Sequence, residues 1–211
     1  DVGSIVLDIN SPGGTVPGIQ ELAAEMQAAN HVKKTVAVAN SMIASAAYWL
    51  AAQAGEIVSI PSGTVGSIGV FAAHQDLSKA LELEGINVTL ISAGEYKTEG
   101  NPFEPLSAEA KAVIQGRVDE AYTQFVKDVA SGRGVSQAAV RSGYGQGRAL
   151  GAKDALKAGL IDRIDTFEAT LARLVVGRKS IASGARAEDL EPALSAMAVE
   201  DEDRARRLRF R

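Results

Sequence analysis

Short apolar runs and longer amphipathic stretches take turns along the first two-thirds of the chain. Ser4–Ile9 is a mostly apolar run of strand length, of the kind that fills a parallel strand covered on both faces. Asn10-Ser-Pro-Gly-Gly14 breaks the run as a turn. Pro17–Asn30 follows as a helix with Ile19, Leu22, Ala23 and Met26 on one face. Thr35–Ala39 predicts a second strand. Ser41–Ala54 predicts a helix that is apolar on every side and therefore buried. Glu56–Ile60 reads as a third strand, Ser67–Phe71 as a short fourth, and Ile86–Ile91 as another. Asp76 caps a predicted helix that reaches about Glu84. Strand and helix in alternation predict an α/β fold with a largely parallel sheet.

The last third changes character. Ser107 is an N-cap with Glu109 in the first turn, and Ile114, Val118, Ala121, Phe125 and Val129 run at helical spacing to about Ser131. Gly132 and Gly134 are read as its stop. Gln137–Ser142 and Gly151–Ala158 predict shorter helices, Leu160–Ile164 a strand, and Phe167–Val175 a helix. The periodicity dissolves from Gly177. The division is therefore a domain over 1–176 and a charged tail or linker over 177–211, with room for a helix in Ala187–Met197. The tail ends in an acidic block, Glu200–Asp203, followed by the basic run Arg204–Arg211. Adjacent blocks of opposite charge read either as a solvated segment or as a docking arm for an acidic partner.

Composition narrows the chemistry. The chain has 211 residues, 46% of them hydrophobic and 23% charged, which suits a globular core rather than disorder. It has no cysteine, which removes disulfides, thiolate metal sites and cysteine nucleophiles. Its two histidines, His31 and His74, make a histidine-rich metal site an unpromising reading, so neither metal nor cofactor is expected. A net charge of −4 gives no global reason to expect nucleic acid as a partner. No apolar run has the roughly 20 residues that span a bilayer. The chain opens on Asp1 and enters a strand at once, so it is read as a fragment or a processed chain.

Three places could carry chemistry. The Gly13-Gly14 turn lies at the carboxyl end of a strand, the edge where open α/β folds bind ligands, and its glycines can expose N–H groups to an oxyanion. It reads equally as a plain strand-to-helix turn. Ser45, in Ala44-Ser-Ala-Ala-Tyr48, is either a small packing residue or a nucleophile opening onto that same edge. A serine nucleophile needs a base, and His74 and Lys97 are the candidates. A lysine acting as base has to work neutral, a demand that burial meets at roughly 4–5 kcal/mol. Lys97 reads equally as a surface lysine beside Glu95 and Glu99. Spacing alone leaves these alternatives open.

Taken in order, the segments are more specific. Asp8-Ile-Asn-Ser-Pro-Gly-Gly14, Ala44-Ser-Ala-Ala-Tyr48, Gly63-Thr-Val-Gly-Ser-Ile-Gly-Val70, Gly94-Glu-Tyr-Lys97 with Asn101-Pro-Phe-Glu-Pro105, Gly147-Arg-Ala-Leu-Gly-Ala152 and Gly159-Leu-Ile-Asp162 together resemble the signal peptide peptidase A family of serine peptidases. In detail they resemble its phage-encoded branch, the prohead proteases of capsid assembly. The resemblance covers about Val2 to Leu174. It implies a Clp-protease/crotonase-type fold of repeated β-β-α units, with the first strand and helix of the domain lying before Asp1. It implies Ser45 as nucleophile, Lys97 as general base and Ser67 as the serine that orients the lysine. The N–H groups of Gly14 and Ala46 fall at the oxyanion hole, with Gly13 shaping the turn. It further implies a ring-shaped homo-oligomer in the host cytoplasm or the prohead, whose substrates are scaffold, portal or capsid proteins or the enzyme itself. Ala46-Ala47 stand where cellular members usually carry Gly-Gly, so the pocket wall is bulkier here. The competing readings are a cellular signal peptide peptidase, an inactive scaffold on the same fold, a crotonase-type acyl-CoA enzyme, and a Ser45–His74 pairing.

Overall fold

The computed structural model describes residues 2–183. Six strands form one sheet, with helices on both faces. The strands are β1 (Ile5–Ser11), β2 (Thr35–Ala44), β3 (Glu56–Ser59), β4 (Thr64–Gly66), β5 (Ala149–Gly151) and β6 (Arg163–Ile164). The helices are α1 (Ile19–Val32), α2 (Ala46–Ala51), α3 (Ser78–Leu83), α4 (Ala108–Arg133), α5 (Gln137–Gly143), α6 (Ala152–Ala158) and α7 (Phe167–Ser183). The tail helix expected in Ala187–Met197 lies outside the described residues. α7 continues past Gly177 to Ser183.

β2 is the spine of the sheet. β1 pairs with it in parallel on one side, and β3 then β4 pair in parallel on the other. β6 adds in parallel to β3, and β5 antiparallel to β4. The largely parallel α/β architecture read from the sequence is therefore the observed one. All five residues of Thr35–Ala39 are buried because both faces of β2 are covered. Ala37 and Ala39 face the main core, which Tyr48, Trp49, Phe125, Val126, Val129, Leu160 and Ile161 fill. Val36 and Val38 face a smaller cluster with Val58, capped by Phe167 and Leu174 of α7.

The strands turn a corner. Between the same two rungs, β1 runs from Ile9 to Ser11 while β2 runs from Ala39 to Ile43. From Ala39, β2 reaches Met42 while the next strand goes from Ser59 to Thr64. Each strand outward from β1 thus carries extra residues at one level, and the sheet curls there. Ser41, at φ 137°, sits at this crease.

Several expectations need correction. Ser41–Ala44 is strand, not the start of a helix, so β2 is longer and α2 much shorter than periodicity suggested. A solidly apolar run carries no period with which to tell strand from helix. The fourth strand is Thr64–Gly66 and stops where Ser67 was expected to begin it, because Ser67 adopts φ 55°. Ile86–Ile91 has strand-like alternation but pairs with no strand among the described residues, and Ile91 is 96% exposed. Gly132 does not stop α4. It lies inside the helix against the Ala52 carbonyl, a contact that a side chain would block. Gly134, at φ 64°, is the actual C-cap.

Candidate active site

Ser45 occupies a strand–helix corner. Its φ of 53° and ψ of −127° are unusual for a residue with a side chain, a cost on the order of 1–3 kcal/mol that the surroundings must hold in place. They do so through the backbone. The Ser45 N–H donates to the Gly66 carbonyl at 2.8 Å, and the Ser45 carbonyl accepts from the N–H groups of Tyr48 at 2.8 Å and Trp49 at 3.1 Å. The hydroxyl does not cap α2. The side chain is thereby fixed in direction and left available.

Gly13 is pressed against this corner. At φ 110° its position suits glycine, and a Cβ there would stand 2.6 Å from the Ser45 Cβ, 2.9 Å from the Ala44 carbonyl and 3.0 Å from the Ala46 nitrogen. The Gly13 N–H is used by the Ser11 hydroxyl at 3.2 Å. The Gly14 and Ala46 N–H groups donate to no acceptor among the described residues. Both border the same hollow as Ser45. Free amides beside a fixed hydroxyl are what stabilisation of a developing oxyanion requires.

Ser67 leaves the sheet beside Ser45. Ala44 and Gly66 are rung partners, so the two serines follow on adjacent strands, both at positive φ. The Ser67 N–H is held by the Arg148 carbonyl at 2.9 Å. The structure therefore brings together five of the six residues singled out from sequence: Gly13, Gly14, Ser45, Ala46 and Ser67.

Lys97 is not among them. No hydrogen bond or ion pair joins its side chain to Ser45 or Ser67 among the described residues, and it lies exposed in an arm running from Phe71 to about Leu106. The arm is tied mainly to itself. The Leu77 N–H donates to the Pro102 carbonyl at 2.8 Å, and the Asn101 side-chain amide donates to the Thr98 carbonyl and the Glu104 carboxylate. His74 Nε2 is bonded to the Asn101 carbonyl at 2.8 Å, so the rival base is also engaged within the arm. Asp76 does not cap α3 directly. It accepts from the Ser78 hydroxyl and N–H, which hold its carboxyl below the usual range. α3 itself buries nothing.

The cleft at Ser45 measures about 410 Å³, with Val16, Trp49, Val70, Phe71 and Phe125 as its apolar walls. Trp49 and Phe125 are core residues, 2% and 1% exposed, that back the cleft from behind; sequence reading placed Phe125 on the apolar stripe of α4 and did not single out Trp49. Their rings stack at 4.5 Å with 7° between planes, and Trp49 Nε1 donates to the Asp128 carboxylate at 2.8 Å. The available signal was spacing, since Trp49 lies one helical turn beyond Ser45.

Behind α2 a polar cluster anchors the helix that starts at Ser45. The Tyr48 hydroxyl donates to the Leu160 carbonyl at 2.8 Å, and burial pushes its pKa far above the ordinary tyrosine value. Arg133 grips Asp162 through both terminal nitrogens, at 2.9 and 2.6 Å, and also reaches the Gly159 carbonyl. Burial works to raise the Asp162 pKa, but Arg133 and the Ile57 N–H outweigh it and hold the carboxyl low.

These features meet a familiar pattern. A family-level profile, Peptidase family S49, matches residues 27–180. The chain belongs to peptidase family S49. Individual relatives are similar over most of this chain. A Methanocaldococcus jannaschii protein, provisionally named a protease, is 36% identical over 82% of this chain and 55% of its own length. Capsid assembly protease C of Escherichia phage lambda is 34% identical over 88% of this chain and 42% of its own length. The chain thus spans about half the length of these relatives. A mutant of a membrane-bound stomatin-specific protease (1510-N) has the same fold, with a TM-score of 0.54 at 14% identity over 83% of this chain and 70% of that one. Among the described residues no helix is long and apolar enough to cross a membrane, and no three His, Asp or Glu side chains gather to hold a metal ion.

Proposed function

We propose that this chain is a serine endopeptidase in which Ser45 is the nucleophile, Lys97 the general base and Ser67 the group that orients the lysine. The observation that carries the reading is the Ser45 corner, a strained, backbone-fixed serine with Gly13 packed against it beside two free amides and an apolar cleft. Neutral Lys97 takes the Ser45 proton as the hydroxyl attacks a peptide carbonyl. The Gly14 and Ala46 N–H groups receive the oxyanion, and protonated Lys97 returns the proton to the departing amine. Water then attacks the acyl-enzyme by the same route in reverse, with Lys97 again accepting a proton.

Lys97 has to be delivered to Ser45. The arm that carries it leaves Phe71, Leu83 and Ile91 between 88% and 96% exposed, an apolar surface that calls for a cover. We assign that cover to further copies of the chain, with Lys97 of one copy serving Ser45 of another. The phage capsid relative supports head-assembly proteins as substrates and the host cytoplasm or prohead as the place of action. We take the peptidase unit as residues 1–176, with α7 carrying the chain on to Ser183 and the remainder appended.

The test compares wild type with Ser45→Ala, Lys97→Ala and His74→Ala on phage head proteins, reading fragment masses over time. Loss of cleavage by at least about 10⁴-fold in the first two, with His74→Ala active, is the expected result. Mixing Ser45→Ala with Lys97→Ala restores cleavage if the lysine is supplied between copies. Unchanged cleavage by Ser45→Ala overturns the assignment.

A further inference from the structure

α2 is only six residues long and starts at Ala46, directly after Ser45. A helix this short has little rigidity of its own, because nearly all of its backbone groups are terminal ones. Its direction is set by what grips it, and the grip falls on Trp49. Trp49 Nε1 donates to the Asp128 carboxylate at 2.8 Å, and the ring stacks on Phe125. The Trp49 carbonyl accepts from the Gln53 side-chain amide at 3.2 Å. That same amide donates to the Asp128 carbonyl at 3.1 Å. Asp128 thus holds Trp49 directly by its side chain and again, through Gln53, by its main chain.

Trp49 passes this hold to the Ser45 corner. Its N–H donates to the Ser45 carbonyl at 3.1 Å. That carbonyl and the Ala46 N–H are the two ends of one peptide unit, which is planar and trans, so they point in opposite directions. Fixing the carbonyl fixes the aim of the amide, the donor assigned above to the oxyanion. Such a donor acts only when it meets the developing charge at about 3 Å, so a small rotation of this plane costs rate.

Satisfying a buried indole does not by itself call for an aspartate, since a neutral carbonyl or hydroxyl would serve. Here the acceptor is a carboxylate that is in no ion pair among the described residues and also accepts from Gln124 Nε2 at 2.7 Å. Hydrogen bonds to a carboxylate are shorter and stronger than those to a neutral acceptor, which suits a tether that has to keep a plane from turning.

We propose that Asp128 is a positioning residue, which through Trp49 orients the Ser45–Ala46 peptide plane and with it the Ala46 N–H. Its effect on cleavage rests on the peptidase reading above; its effect on the peptide plane does not.

The test uses the full chain as Asp128→Ala, Asp128→Asn, Trp49→Phe and the double variant of Asp128→Ala with Trp49→Phe. Trp49→Phe keeps a ring on Phe125 and removes the indole donor. On a phage head protein that wild type cleaves, kcat per folded molecule is expected to fall by about 10-fold or more in Asp128→Ala and in Trp49→Phe, with KM within about 2-fold. KM is spared because the donor acts in the transition state. The double variant falls no further than the worse single one, because both changes break one tether. Asp128→Asn, whose amide oxygen still accepts from the indole, recovers most of the rate. A purely structural bond would lower Tm without separating kcat from KM. In isotope-labelled protein the Ala46 amide NMR resonance shifts in Asp128→Ala and in Trp49→Phe, and returns toward its wild-type position in Asp128→Asn. An unmoved Ala46 resonance overturns the proposal, and so does an unchanged kcat in either single variant or a pair of losses that multiply in the double one. Should Ser45→Ala cleave like wild type, the nucleophile assignment falls, while the Ala46 resonance still decides what Asp128 positions.

Discussion

Replacing Gly13 by alanine tests how the Ser45 corner is built. The substitution adds one methyl group where the backbone sits at φ 110° and where that methyl would lie 2.6 Å from the Ser45 Cβ. Two costs combine. A side chain at such a φ costs about 1–3 kcal/mol. Relieving the overlap costs a similar amount, since two of the three neighbours are backbone atoms that cannot swing aside. With partial relaxation we expect about 2–3 kcal/mol, which in a domain of this size lowers Tm by about 5–10 °C. Gly14→Ala is the control. Gly14 has no positive φ, and no atom lies within 4 Å of its added Cβ, so its stability should change by no more than about 0.5 kcal/mol. Urea and thermal unfolding of both variants supply the comparison. Peptidase assays of Gly13→Ala should also show a lowered kcat, because the shift is taken up by Ser45 and Ala46. Equal Tm values for the two variants would refute the claim that Gly13 is locked against the serine.

Two further outcomes follow from the polar clusters. Lys34 and Arg173 hydrogen-bond Glu56 and, against the effect of burial, hold its carboxyl below the usual range. The unfolded chain therefore binds protons at a pH where the folded one does not. The resulting stability is complete above the ordinary glutamate value of about 4.3 and is lost as pH falls through the lower folded value. Urea midpoints from pH 3 to 7 should drop steeply below about pH 4 in wild type and less so in Glu56→Gln, which starts from a lower midpoint at neutral pH. Arg133→Leu removes the grip on Asp162 and one of the two donors to the Gly159 carbonyl, which keeps the Tyr144 hydroxyl. With the Asp162 side chain 40% exposed, solvent recovers part of the loss, and denaturation should report about 1–2 kcal/mol.

The sequence was most legible where a single rule governed. The Ser107 cap of α4 was read correctly, with its hydroxyl accepting from the Ala110 N–H at 3.0 Å, and of the stripe read on α1, Ala23 and Met26 are buried while Leu22 is 51% exposed. The paired glycines after β1 also stood out; Gly13 packs against Ser45 and Gly14 borders the same hollow. Legibility failed where tertiary pairing decides. Met42–Ala44 is apolar enough for helix or strand, and only the rungs to Thr64–Gly66 settle it as strand. Ala149–Gly151 is too short to announce itself and exists because Gly66 and its neighbours offer an edge. Ile86–Ile91 shows the opposite failure, a sound strand pattern with no partner among the described residues. Within the site, local chemistry marked the corner residues, whereas the position of Lys97 depends on contacts that no local pattern encodes.

The crease has a consequence for how this site tolerates change. Ser45 and Ser67 are aimed by the number of residues each strand spends at the bend, between Ala39 and Met42 on β2 and between Ser59 and Thr64 beside it. A single inserted or deleted residue there would swing the serines out of line with Gly13 while leaving every functional group in the chain. On the proposed mechanism, chain length at that level is thus a hidden catalytic variable. Side chains lining the cleft would then be exchangeable to redirect specificity, while the count of residues through the corner has to stay fixed.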